Sequence, residues 1–148
     1  MRKFLFSLES VLKLKDQMLT AAQTELGRLN EAIARQEGAE AENRRQSAEN
    51  DRGCAEEQCG GCDPRFMVCF ADYRDQLYRQ LLLIQKKKAA LFKDRDEIIE
   101  KIIGLKVEIA TLEKLKENEW LAYQAETRKE EERAVEEFIG FRRVAGSL

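Results

Sequence analysis

Gly53-Cys54-Ala55-Glu56-Glu57-Gln58-Cys59-Gly60-Gly61-Cys62-Asp63-Pro64 holds three of the eight glycines and the only proline of a 148-residue chain. Glycine and proline are the strongest punctuation a sequence carries. On either side, residues 1–53 and 65–148 are free of proline and rich in Ala, Leu, Glu, Lys, Arg and Gln, the good helix formers. Asp63 ahead of Pro64 reads as a helix start, a cap oxygen followed by proline at the first helical position. The stretch therefore predicts one reversal between two long helices: helix 1 over about 4–52, a turn over about 53–64 and helix 2 over about 65–141.

Working outward, the first arm carries Leu5, Leu8, Leu12, Lys15, Leu19, Ala22, Leu26, Leu29 and Ile33 at steps of three and four. That spacing is the seam of a left-handed coiled coil. Past Ile33 the same register reads Gln36, Glu40, Asn43 and Ser47, and residues 37–58 hold seven acidic and three basic side chains. This part of the helix is expected to be wetter and less firmly packed. The second arm is stronger. Phe70, Leu77, Ile84, Leu91, Ile98, Leu105 and Leu112 recur every seven residues, and Leu81, Lys88, Arg95, Ile102, Ile109, Lys116 and Tyr123 form the companion row. Long basic stems can cover a seam edge while their charges stay wet.

The expected fold class is all-α, two long helices in an antiparallel coiled-coil hairpin forming a single domain over 1–148, with the second helix longer and overhanging. With the turn centred near residue 59, residue i should face roughly residue 118 − i. Helix 1 then runs out near residue 115 of its partner, and Lys116 to Gly140 overhangs with Trp120, Leu121, Tyr123, Val135, Phe138 and Ile139 among its charges. A long helix alone in water is marginal, so a partner is expected to surround it.

Composition removes several functions. There is no histidine, so no imidazole base and no mixed Cys/His zinc site. The net charge of −2 does not suit a general nucleic-acid binder. No purely apolar run, Leu81–Ile84 included, approaches the roughly 20 residues of a membrane span, so no direct membrane insertion is expected. No glycine-rich phosphate loop is present. Lys86-Lys87-Lys88 sits on a helix of mixed charge and reads as solvation. Carboxylates alternate with bases in the manner of a solvated helix face, so no catalytic residue is assigned and no enzyme is expected.

Cys54, Cys59, Cys62 and Cys69 are the one constellation with chemistry of its own. A cytosolic setting would keep them as reduced thiols or metal ligands. Four thiolates can hold a structural zinc, which would clip the hairpin shut rather than catalyse. The other reading is plain thiols in a loop tip, with no cofactor. Phe66, Phe70, Tyr73, Leu77 and Leu81 cluster beside the turn, either as local packing or as an exposed docking patch.

The opening Phe4-x-Phe6-x-Leu8-x-x-Val11-Leu12-x-x-Lys15 resembles the start of the flagellar export protein FliJ family. The length, the central break, the unequal arms, the run Phe70-x-x-Tyr73-x-x-x-Leu77 and the end Glu136-Glu137-Phe138-x-x-Phe141-Arg142-Arg143 agree with it. The resemblance implies a non-enzymatic, bacterial, cytoplasmic stalk of the flagellar type III export apparatus, peripherally associated with the inner membrane. Its partners would be the hexameric flagellar export ATPase, the membrane export gate protein and export chaperones. By position, Phe4, Phe6, Arg142 and Arg143 would belong to the ATPase end, and Phe70, Tyr73 and Leu77 to the gate end. The family's first-helix aromatics near the tip have no counterpart in residues 37–53. Two other readings stay open: a generic dimeric coiled-coil scaffold, and a thiol or metal-clipped sensor hairpin.

Overall fold

A computed structural model describes residues 2–61 and 63–147. They form an all-α helical hairpin of two helices, α1 (Glu9–Cys59) and α2 (Pro64–Ser147), with no strand among the described residues. By contact the chain divides into two compact units, Ala21–Ile102 and a second made of Met1–Thr20 with Ile103–Leu148.

The helix bounds correct the sequence reading in both directions. α1 begins at Glu9 rather than near residue 4, because residues 2–6 form no helix and serve another purpose, described below. It passes through Gly53 and ends at Cys59 rather than near residue 52. One glycine costs a helix only about 1 kcal/mol, and the Phe70 ring packs beside Gly53, 3.4 Å from where a Cβ would stand. The reversal is therefore short. The Gly60 N–H donates to the Glu56 carbonyl at 3.1 Å and the Gly61 N–H to the Gln58 carbonyl at 3.4 Å. Gly61 takes φ 77°, the left-handed cap conformation that a side chain would resist. Asp63 then caps α2 as its sequence suggests, its Oδ1 accepting the Arg65 N–H at 3.0 Å. α2 continues to Ser147, past the expected end at residue 141.

In the unit Ala21–Ile102, the seam of α1 keeps its steps of three and four: Ala22, Leu29, Ile33, Asn43, Asn50 and Cys54 are buried. The register does not fade after Ile33; polar residues simply occupy it. Asn43 Nδ2 donates to the Leu77 carbonyl at 2.9 Å and Asn50 Nδ2 to the Phe70 carbonyl at 3.1 Å. The two asparagines are seven residues apart, and so are their acceptors, which run the opposite way. Each buried amide thus gains the partner that burial demands. These pairs sum to 120 rather than 118, and Arg74 with Asp51 at 3.2 Å sums to 125, so the fold axis falls slightly beyond residue 59.

Lys88 and Arg95, the basic members of the companion row, sit at the seam edge. Lys88 Nζ lies 3.2 Å from Glu40 Oε2 and 3.8 Å from Glu37, and both cations lie over the Phe92 ring, at 5.8 and 4.7 Å. The Lys88 hydrogen bond holds the Glu40 carboxyl below its ordinary value of 4.5, against an opposing desolvation. A carboxyl depressed by folding adds stability above its unfolded value and loses it as pH falls through the folded one. This pair should therefore contribute fully from neutrality down to about pH 5 and fade below that. Lys88→Met, which keeps the stem, should flatten this part of the acid limb in helical melts recorded against pH. An unchanged limb would remove the pair from the account.

In the other unit, Leu12 of α1 and Leu105 and Ile109 of α2 are buried, with Phe6 from the segment before α1. Lys15 pairs with Glu108 at 2.7 Å and Glu9 with Lys116 at 2.7 Å. Along α2 the last half-buried position is Thr127, and every described residue from Arg128 to Ser147 is exposed. The overhang starts about a dozen residues later than the register reading expects, because residues 2–8 continue the cover beyond the end of α1.

Candidate functional site

Two regions carry the residues singled out from the sequence. The first is the turn end, in the unit Ala21–Ile102. Leu77 is only 2% exposed: it is the most deeply buried of the core residues, packed in the seam with its carbonyl bound by Asn43. Phe70 is half-buried and accepts from Asn50. Tyr73 and Phe66 remain exposed. The sequence cluster therefore splits by helix face, Leu77 and Phe70 inward, Tyr73 and Phe66 outward. Exposed Tyr78, Leu82 and Leu83 enlarge the outward set, and sequence reasoning did not single them out. A groove of about 330 Å³ takes its lining from both helices, with Asn43, Ala48, Leu77 and Leu81, the charges of Asp51 and Arg74 and, of the outward set, Tyr78.

The thiols are placed separately. Cys54 is buried in the α1 seam, Cys59 ends α1 in solvent and Cys69 is exposed on α2; Cys62 lies outside the described residues. Among the described residues no three acidic or thiol groups gather closely enough to hold a metal.

The second region is the unit that holds both chain ends. Phe4 and Phe6 do not point to solvent with Leu5. Phe6 is 8% exposed, and the Phe4 ring meets Trp120 edge-on at 5.0 Å and Tyr123 at 5.5 Å. Trp120 and Tyr123 stack on each other at 5.5 Å, and the Tyr123 hydroxyl donates to the Arg2 carbonyl. Tyr123 stands in the companion heptad row, which gave a sign of its inward direction; Trp120 does not, and nothing in the periodicity marks it. Arg142 and Arg143 lie apart from Phe4 and Phe6. They sit some 19 residues beyond Tyr123, roughly 28 Å along α2, on its fully exposed portion. There, Ala134, Phe138, Phe141 and Ala145 recur at steps of four, three and four, with Val135 and Ile139 beside them. Phe138 is 64% and Phe141 73% exposed, so this apolar stripe has no cover within the described chain.

Charge is paired locally rather than concentrated. Arg45 bridges Glu42 and Glu49 on one face of α1, and its hydrogen bond to Glu42 depresses that carboxyl and raises the guanidinium. No helix among the described residues is long and apolar enough to cross a membrane.

Against known proteins, no curated protein and no solved structure gives a match. The family model described as flagellar FliJ protein matches residues 4–144, essentially the whole chain. The hairpin, the exposed apolar end and that match together make the chain a member of the FliJ family, the non-enzymatic components of the flagellar protein export apparatus.

Proposed function

We propose that the chain is a stalk and coupling protein of this exporter, working in the cytoplasm at the inner-membrane export apparatus. It would promote assembly and hydrolysis of the hexameric export ATPase, reach the membrane export gate with its turn end, and escort export chaperones. The observation that carries the reading is the bare end of α2. A helix that is exposed all round from Arg128 onward, yet keeps an apolar stripe through Phe138 and Phe141, is marginal in water and needs a surrounding partner. A ring pore provides one. Arg142 and Arg143 flank that stripe and are assigned to the ATPase contact. Phe4 and Phe6 are assigned to the same end as braces of α2, since their rings are turned inward.

At the turn end, Tyr73 and its exposed neighbours Tyr78 and Leu82 are assigned to the gate contact, with Phe70 and Leu77 as the packing beneath. The cysteine tip keeps its open choice between thiols and a structural zinc held by Cys54, Cys59, Cys62 and Cys69. Metal analysis of the purified protein decides it.

Mixing the chain with the cognate export ATPase should convert monomeric ATPase to rings and raise hydrolysis several-fold. Phe138→Asp with Phe141→Asp should abolish both effects while leaving the helical melt of the hairpin in place. No stimulation by the parent chain at stoichiometric excess would overturn the assignment.

A further inference from the structure

Trp120 and Tyr123 lie one turn apart on α2 and stack with their planes 25° from parallel, forming an aromatic shelf. The Phe4 ring stands on both members, at 71° to Trp120 and 49° to Tyr123. Next to the shelf the Tyr123 hydroxyl takes hold of a main-chain carbonyl, that of Arg2, a contact indifferent to the side chain at that position. Beyond it a groove of about 660 Å³ has Glu126 and Glu130 on one side and Arg2 and Lys3 on the other. A shelf for a ring, a donor for the backbone and an acidic rim for cations are together the recognition set for a basic segment bearing an aromatic residue.

The segment seated there is held by little else. Residues 2–6 form no helix, Leu5 is 81% exposed, and the groove beneath the segment is open. Phe6, 8% exposed and with its carbonyl accepting the Glu9 N–H at 3.2 Å, anchors its far side. We propose that Trp120, Tyr123, Glu126 and Glu130 form a docking site for a basic aromatic peptide. Residues 2–5 occupy it in cis, and a partner segment of the same chemistry can take their place when the strap lifts. This goes beyond the coupling role and does not depend on it.

Trp120 is the single tryptophan of the chain, so its emission reads the shelf directly. In the full-length protein, Phe4→Ala should shift that emission to the red and open Trp120 to a neutral quencher, with helical content retained. Adding the synthetic peptide Arg-Lys-Phe-Leu-Phe-Ser-Leu, residues 2–8, to this variant should reverse both changes saturably. A peptide with alanine in place of the first phenylalanine should bind about tenfold more weakly, roughly 1.4 kcal/mol. The parent chain should bind the peptide more weakly than the variant does, because its own strap competes at high effective concentration. Binding should weaken with added salt, and Glu126→Gln with Glu130→Gln should remove most of that salt dependence. Unchanged emission and quenching on Phe4→Ala would overturn the proposal. So would equal binding of the two peptides, or a salt response that survives loss of both glutamates.

Discussion

Truncating Leu77 to alanine is expected to destabilise the unit Ala21–Ile102 by about 2–5 kcal/mol, the range for a buried leucine that leaves a cavity. Leu77 is 2% exposed, and no core residue is covered more completely. A hairpin has a single seam, so there is no second layer of core to collapse into the space. Domain stabilities of about 5–15 kcal/mol set the scale, so one such change removes a large share. The family resemblance also implies a gate contact for Leu77, and the two roles separate by experiment. Leu77→Ala should lower the melting temperature strongly and impair every activity of the turn end together. Tyr73→Ala and Tyr78→Ala, on the outer face, should leave the melt nearly unchanged and weaken only the gate binding proposed for the turn end. If Leu77→Ala melted like the parent protein yet failed to bind the gate, the seam placement of Leu77 would be wrong.

The contrast between Leu77 and Tyr73 shows what periodicity can report. The seven-residue row from Phe70 to Leu112 and its companion row from Leu81 to Tyr123 coincide with the covered positions of α2, because burial on a single seam follows the helical period directly. Asp63 and Pro64 also read correctly, since a cap and a first-turn proline are local chemistry. The fold class and the capped start of α2 were legible for these reasons. Three other features were not. Leu5 and Leu8 continue the helical pattern of α1, yet residues 2–6 form no helix, and the Phe4 ring packs instead against Trp120 and Tyr123, more than a hundred residues away. Gly53 reads as a stop, yet α1 passes through it, because a single glycine costs a helix only about 1 kcal/mol. The polar run after Ile33 reads as a weakening seam, because a count of apolar residues cannot see that an asparagine amide finds a carbonyl on the other helix. The spacing of Asn43 and Asn50, seven residues apart and in register, was the available sign.

Asn43→Asp follows from that amide and carries the second large effect. The change is nearly isosteric and tests charge and donor capacity alone. Asn43 is buried and donates to the Leu77 carbonyl. An ionised aspartate there has no proton to donate and sets a negative charge against a carbonyl oxygen at a position only 5% exposed. The cost should approach the roughly 3–5 kcal/mol of an uncompensated buried charge. The group would relieve part of it by binding a proton, so its pKa in the folded chain should rise above the unfolded value of about 3.9. A carboxyl raised by folding destabilises the native state above that value and ceases to do so below it. The deficit of Asn43→Asp against the parent should therefore be largest near neutrality and shrink as pH falls toward 4, where the protonated acid can donate to Leu77 as the amide does. That trend runs opposite to the one expected for Glu40 and Lys88, so a general acid effect on the hairpin cannot imitate it. Asn43→Leu completes the comparison. The Leu77 carbonyl keeps its intrahelical donor, so an apolar side chain should be neutral or stabilising in the melt. What it should lose is register, seen as additional oligomers or mispaired species in sedimentation, since a buried asparagine fixes pairing at some cost in stability. A pH-independent deficit for Asn43→Asp would mean that the amide at 43 acts by shape and not by donating its proton.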